Sequence, residues 1–107
     1  MADPDRDAIK RFTLLVLLQA QSDRASELVI SSSSSAGPQL KYKVAETWYD
    51  VSPPPPHIIP HVLTELARLA GLRDESLPAE GTIDIPVSGA HLRWKIRLSS
   101  TDARCVV

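Results

Sequence analysis

Five cations, Lys41, Lys43, Arg93, Lys95 and Arg97, sit at every second position in two short segments of the chain, "LKYKV" and "LRWKIRL". That spacing places the members of each set on one face of a strand. Lysines and arginines gathered this way have the chemistry to hold a phosphate or an acidic protein surface. His57 and His61 are four apart in "HIIPH", a helical spacing that suits metal binding. Ile58 stands where a zincin motif has its glutamate, though, and no third ligand is in view, so the pair reads as two surface histidines in a first helical turn. Cys105 lies in the apolar segment "ARCVV" and reads as a buried, inert thiol. No Ser/His/Asp order or pair of catalytic carboxylates can be assembled. The four glycines make no phosphate-binding loop of the G-x-x-x-x-G-K-[ST] type. The expectation is a protein without catalytic residues, metal or cofactor.

The cations are positioned by two segments that read as hairpins. In "TIDIPVSGAHLRWKIRL", a turn at Ser88-Gly89 sets Val87 against Ala90, Ile85 against Leu92 and Ile83 against Trp94 on one face. The other face then pairs Asp84 with Arg93, Thr82 with Lys95 and Glu80 with Arg97. In "LKYKVAETWYDV", a turn at Ala45-Glu46 pairs Leu40 with Val51, Tyr42 with Tyr49 and Val44 with Thr47. Lys41 then faces Asp50, and Lys43 faces Trp48 as a candidate cation–π contact. Two readings stay open. The five cations form an ordinary wet face with structural partners, or, if both hairpins share one side of a sheet, they form an anion or acidic-partner site. Trp48 alone is a weak signal for nucleic acid, and a formal net charge of −1 gives no global attraction to it.

Elements around the hairpins complete the outline. Asp3-Pro4 opens a helix running to about Gln21, with Asp5 and Asp7 near its positive end. Ile9, Phe12, Val16 and Leu17, with Leu14, Leu15 and Leu18 beside them, make it apolar on more than one side. Such a helix is expected to be wedged between two parts of the fold or against another domain, and Phe12, Val16 and Trp48 are the candidate interface residues. "ASELVIS" reads as a strand with Leu28 and Ile30 on one side, and the run Ser31 to Ser35 as a flexible loop. After the stiff "SPPPP" connector, a second helix spans about His57 to Ala70, its stripe formed by Val62, Leu63, Leu66, Leu69 and Ala70. Gly71 belongs at a left-handed C-cap, with Leu72 as its apolar contact. Two helices and six short strands without a βαβ rhythm predict one α+β domain over residues 1–107, mainly an antiparallel sheet with flanking helices. The apolar run "FTLLVLLQA" follows an acidic segment and is too short to span a membrane, so it reads neither as a signal peptide nor as a span. A single cysteine excludes an internal disulfide and points to the cytoplasm.

In order, these segments resemble the N-terminal lobe of the type II secretion and type IV pilus assembly ATPases. "ASELVIS" stands where that family has Ala-Ser-Asp-Ile-His-Ile-Glu, and "LKYKVAETWYDV" where it has a Val-Arg-Tyr-Arg-Ile-Asp-Gly hairpin. "VLTELARLAGL" stands in place of a helix ending Met-Ala-Gly-Leu, "LPAEGTIDI" in place of Leu-Pro-Gln-Asp-Gly-Arg-Ile, and "KIRLSSTDARCVV" resembles the last strands. The resemblance covers nearly the whole chain and implies a PAS-like lobe that packs against a RecA-like core in a cytoplasmic hexamer. It also implies that Lys41, Lys43 and Lys95 stand at positions where family arginines reach nucleotide phosphates. Thr82 replaces a further arginine, and Val29 and Ser31 replace the His and Glu of the first motif. Lysine lacks the planar fork of arginine, so phosphate clamping is weakened. The family's Asp-Gly turn has become Ala45-Glu46, and since neither residue favours positive φ, a distorted or longer turn is expected.

Together these readings predict a non-catalytic interaction or regulatory domain that works by protein–protein contact in or beside a hexameric motor, with no nucleic acid and no membrane insertion. A free-standing adaptor, dimeric through the apolar first helix, is one alternative. A sensor binding a small anion or nucleotide on the cationic sheet face is the other.

Overall fold

In the computed structural model, residues 6–34, 37–72, 78–87, 89–99 and 101–107 are described. The elements run α1 (Arg6–Ser22), β1 (Glu27–Ser34), β2 (Gly37–Val44), β3 (Thr47–Val51), α2 (Ile59–Leu69), β4 (Ala79–Val87), β5 (Ala90–Leu98) and β6 (Asp102–Val106). All six strands join one antiparallel sheet in the order β3-β2-β1-β6-β5-β4. This is the α+β class with flanking helices that the sequence predicts. The proposed cap Asp3-Pro4 lies outside the described residues.

Both helices cover the same face of the sheet. On that side the strands contribute Leu28, Ile30, Leu40, Ile83, Leu92, Trp94, Ile96, Leu98, Ala103 and Cys105, all buried. The helices answer with Ile9, Leu17 and Ala20 from α1 and Ile59, Val62, Leu63 and Leu66 from α2, forming one continuous core. Burying each large apolar side chain contributes roughly 1.5–3 kcal/mol. The outer side of α1 is open, with Leu15 64% exposed, so the helix is not wedged between two parts of this fold. The α2 helix comes close to β4 at Gly81, where an added Cβ would lie 3.1 Å from Ala70 and 3.2 Å from Leu72.

The second hairpin has the register expected for it, from Val87 opposite Ala90 to Glu80 opposite Arg97. Three expectations need correction. The serine run is not a loop as far as Ser34: β1 continues through it, with Ser31 opposite both Gln39 and Asp102. Ser32 also donates from its amide and its hydroxyl to the Thr101 carbonyl, at 2.9 and 3.0 Å. Flanking strands thus supply the partners that composition alone does not reveal. Second, the Ala45-Glu46 turn is neither longer nor distorted. Both residues take positive φ, 49° and 71°, as a two-residue type I′ turn requires, and the predicted register from Leu40–Val51 to Val44–Thr47 is kept. Third, α2 starts at Ile59, with Pro60 in its first turn, so His57 lies ahead of the helix and only His61 is within it. The α1 helix ends as α2 does. Gly71 at φ 73° closes α2 with bonds from its own amide to Arg68 and from Leu72 to Ala67. Arg24 at φ 62° closes α1 with the same pair, Arg24 to Gln21 and Ala25 to Ala20.

Candidate functional site: the helix-free face of the sheet

Strand alternation sends the charged side chains of the strands to the side that the helices leave uncovered. Lys41 and Lys43 of β2 and Arg93, Lys95 and Arg97 of β5 therefore do share one face. They do not form one cluster. The strands β1 and β6 lie between β2 and β5, which sets the two groups about 14 Å apart, three strand spacings. Arg104 of β6 fills part of that gap, directly opposite Arg97 and one strand from Val29. It belongs to the face, and its place there depends on the β1–β6 pairing, a contact distant in sequence.

Carboxylates are interleaved with these cations. Arg97 donates from Nη2 and Nε to Glu80 Oε1 at 2.6 and 2.8 Å. Arg104 stands 3.7 Å from Glu27, Arg93 3.9 Å from Asp84, and Lys43 3.6 Å from Glu46 of the turn. His91 is hydrogen-bonded to Asp84 as well, and this bond, helped by the Arg93 charge, holds the Asp84 carboxyl below its ordinary range. Lys41 and Lys43 place their ammonium groups 5.0 and 5.9 Å from the centre of the Trp48 ring. Among the described residues, Lys95 alone of the five predicted cations has neither a carboxylate nor an aromatic ring as partner. The face is thus a charge-alternating plane rather than a basic groove.

The three candidate interface residues fall on opposite sides of the molecule. Trp48 is 40% exposed on the helix-free face, at the edge of the sheet. Phe12 and Val16 are half-buried on the helix side, where with Leu28, Leu40 and Leu66 they line an apolar void of about 10 Å³. A void of that size is too small for an organic ligand. The large apolar residue that α1 exposes is Leu15, one of the leucines beside the main stripe and not among the three candidates.

His57 and His61 are both exposed, and no group of three or more His, Cys, Asp or Glu among the described residues is arranged to hold a metal ion. Cys105 is buried between Leu28 and Ile96, and the loss of hydration pushes its thiol up to about 12. Near the end of α1, Tyr42 donates its hydroxyl to Asp23 at 2.5 Å, which raises the Tyr42 phenol and lowers the Asp23 carboxyl. No helix among the described residues is long and apolar enough to cross a membrane. Compared with known proteins, the chain matches no family model, and no curated protein is significantly similar to it.

Proposed function

We propose that this chain is a non-catalytic interaction domain related to the N-terminal lobe of the type II secretion and type IV pilus assembly ATPases. It works in the cytoplasm by protein–protein contact, in or beside a hexameric motor. The observation that carries this reading is the helix-free sheet face. Charges of both signs alternate across it around Val106, and Trp48 stands exposed at its edge beside Lys41, Lys43 and Glu46, an arrangement that fits a complementary protein surface. The partner is a RecA-like ATPase core or another component of the secretion or pilus machinery.

A photo-crosslinking amino acid placed at Lys95, with Thr64 on the exposed side of α2 as control, tests this in the native cell. The expected adduct at position 95 contains a RecA-like ATPase or a secretion or pilus component, and Arg104→Glu lowers its yield. Adducts at position 64 with none at 95, or adducts at 95 only to unrelated proteins, would overturn the proposal.

A second reading, anion binding on the same face, has one supporting observation. Arg97 and Arg104 oppose each other across β5 and β6, with Lys95 beside them and without an ion pair among the described residues. That reading expects millimolar ATP or tripolyphosphate to raise Tm, and expects Lys95→Glu with Arg104→Glu to remove the rise. An unchanged Tm dismisses it.

A further inference from the structure

The two edges of the sheet differ. The edge strand β4 carries Glu80, Asp84 and Pro86, residues that discourage pairing with another strand. The other edge, β3, reads Thr47-Trp48-Tyr49-Asp50-Val51, with Trp48 exposed on one face and Tyr49, 51% exposed, on the other. No helix covers it.

Turn geometry shows which of its backbone groups are free. A type I′ turn bonds the Thr47 amide to the Val44 carbonyl, so Val44–Thr47 is a hydrogen-bonded pair. Antiparallel pairs alternate, which makes Tyr42–Tyr49 and Leu40–Val51 hydrogen-bonded and leaves Lys43–Trp48 and Lys41–Asp50 non-hydrogen-bonded. The amides and carbonyls of Trp48 and Asp50 therefore point away from β2, toward the open edge.

We infer that β3 pairs antiparallel with β3 of a second copy of this chain, about a two-fold axis at Tyr49. In this register Trp48 faces Asp50 of the other copy, and the two residues exchange both of their outward backbone bonds, on each side of the axis. The sequence is self-complementary there. Asp50 has no ion pair among the described residues, and Trp48 is where Lys41 and Lys43 hold two ammonium groups, so each Asp50 of one copy meets the cations gathered on the other. On the helix side Thr47 faces Val51, and Tyr49 meets its own symmetry mate as a close non-hydrogen-bonded pair. The Tyr42–Tyr49 contact, 6.3 Å between ring centroids, thereby extends into a row of four tyrosines. Alternative axes are poorer: one at Asp50 opposes two carboxylates, and one at Trp48 sets Glu46 against Asp50. The result is a twelve-stranded sheet whose helix-free faces are continuous.

Sedimentation of the full chain from 10 µM to 1 mM, together with cysteine cross-linking, tests the pairing. The wild type is expected to move from monomer to dimer across that range. Asp50→Pro, which removes only an outward-pointing amide, is expected to weaken dimerisation at least tenfold while keeping the circular dichroism of the wild type. Under mild oxidation Tyr49→Cys forms a disulfide dimer, Thr47→Cys alone does not, and Thr47→Cys mixed with Val51→Cys does. A monomer at 1 mM refutes the inference. So does a dimer that Asp50→Pro leaves intact, or one that cross-links through Thr47→Cys alone. If Asp50→Pro fails to fold, the cross-linking pattern still distinguishes the register.

Discussion

Replacing Ala45-Glu46 by Asn-Gly should stabilise this protein without altering any buried contact. Both residues occupy the left-handed region, at φ 49° and 71°, where a Cβ costs about 1–2 kcal/mol per residue. Asn tolerates this conformation better than Ala, and Gly carries no penalty there. Against the relief stand the extra freedom of Gly in the unfolded chain, about 0.4–1 kcal/mol, and the loss of the Lys43–Glu46 pair. That pair spans 3.6 Å with the Glu46 side chain 90% exposed, so it contributes at most a few tenths of a kcal/mol. The net expectation is a gain of about 1–2 kcal/mol, or roughly 5–10 °C in Tm for a domain of this size. Urea unfolding followed by tryptophan fluorescence would show a higher midpoint at an unchanged m-value. Glu46→Gly alone should supply the larger share, and Ala45→Val should destabilise. If Asn-Gly leaves the midpoint where it is or lowers it, the two residues are not in a type I′ turn. The register inferred for β3 pairing would then lose its basis as well.

Three further outcomes are expected. Cys105, with its thiol pushed up to about 12 by burial, should resist a thiol reagent at pH 8 and become labelled only as fast as the protein opens; prompt stoichiometric labelling of the native protein would contradict the packing of β6. The Tyr42–Asp23 bond raises the phenol above 10.0 and lowers the carboxyl below 3.8. Its stabilisation should therefore be lost as pH rises through the folded Tyr42 pKa, and again as pH falls through the folded Asp23 pKa; stability measured against pH for Tyr42→Phe should lack the alkaline dependence and show a weaker acid one, because Gln19 still donates to Asp23. Gln21, at the end of α1, donates to the His91 carbonyl at 2.7 Å and accepts from the Arg93 amide at 3.4 Å, where β5 runs beyond its β6 partner. Gln21→Ala should cost about 1 kcal/mol and speed hydrogen exchange at Arg93; unchanged exchange there would show that the side chain does not close that edge.

Much of this fold is written in local pattern. The pairing of β4 with β5 follows from one decision, the turn position, because a period of two then fixes every opposing pair from Val87–Ala90 outward. The pairing of β2 with β3 follows likewise, even though the turn residues argue against their own conformation. The pairing of β2 with β3 on either side holds the exposed Ala45 and Glu46 at positive φ, and the closing bonds of α1 hold Arg24 there. The C-cap of α2 was legible because Gly71 occupies it; the identical cap of α1 was not, because an arginine does. The serine run was misread because Ser31 and Ser32 form a strand only by virtue of neighbours distant in sequence, Gln39, Thr101 and Asp102.

The candidate site divides along the same line. Residue spacing determined that Lys41 and Lys43 share a side, that Arg93, Lys95 and Arg97 share a side, and that each set faces away from apolar neighbours. It also determined that no motif for catalysis or metal binding is spelled out in the chain. Only the three-dimensional arrangement decided that both sets lie on one sheet face, because that depends on β1 meeting β6, residues some 75 positions apart. The same pairing separated them by two strands, brought Arg104 between them and placed a carboxylate beside most of them. Period-two alternation is a property of each strand alone, whereas the order of strands is set by which apolar faces the helices can bury together.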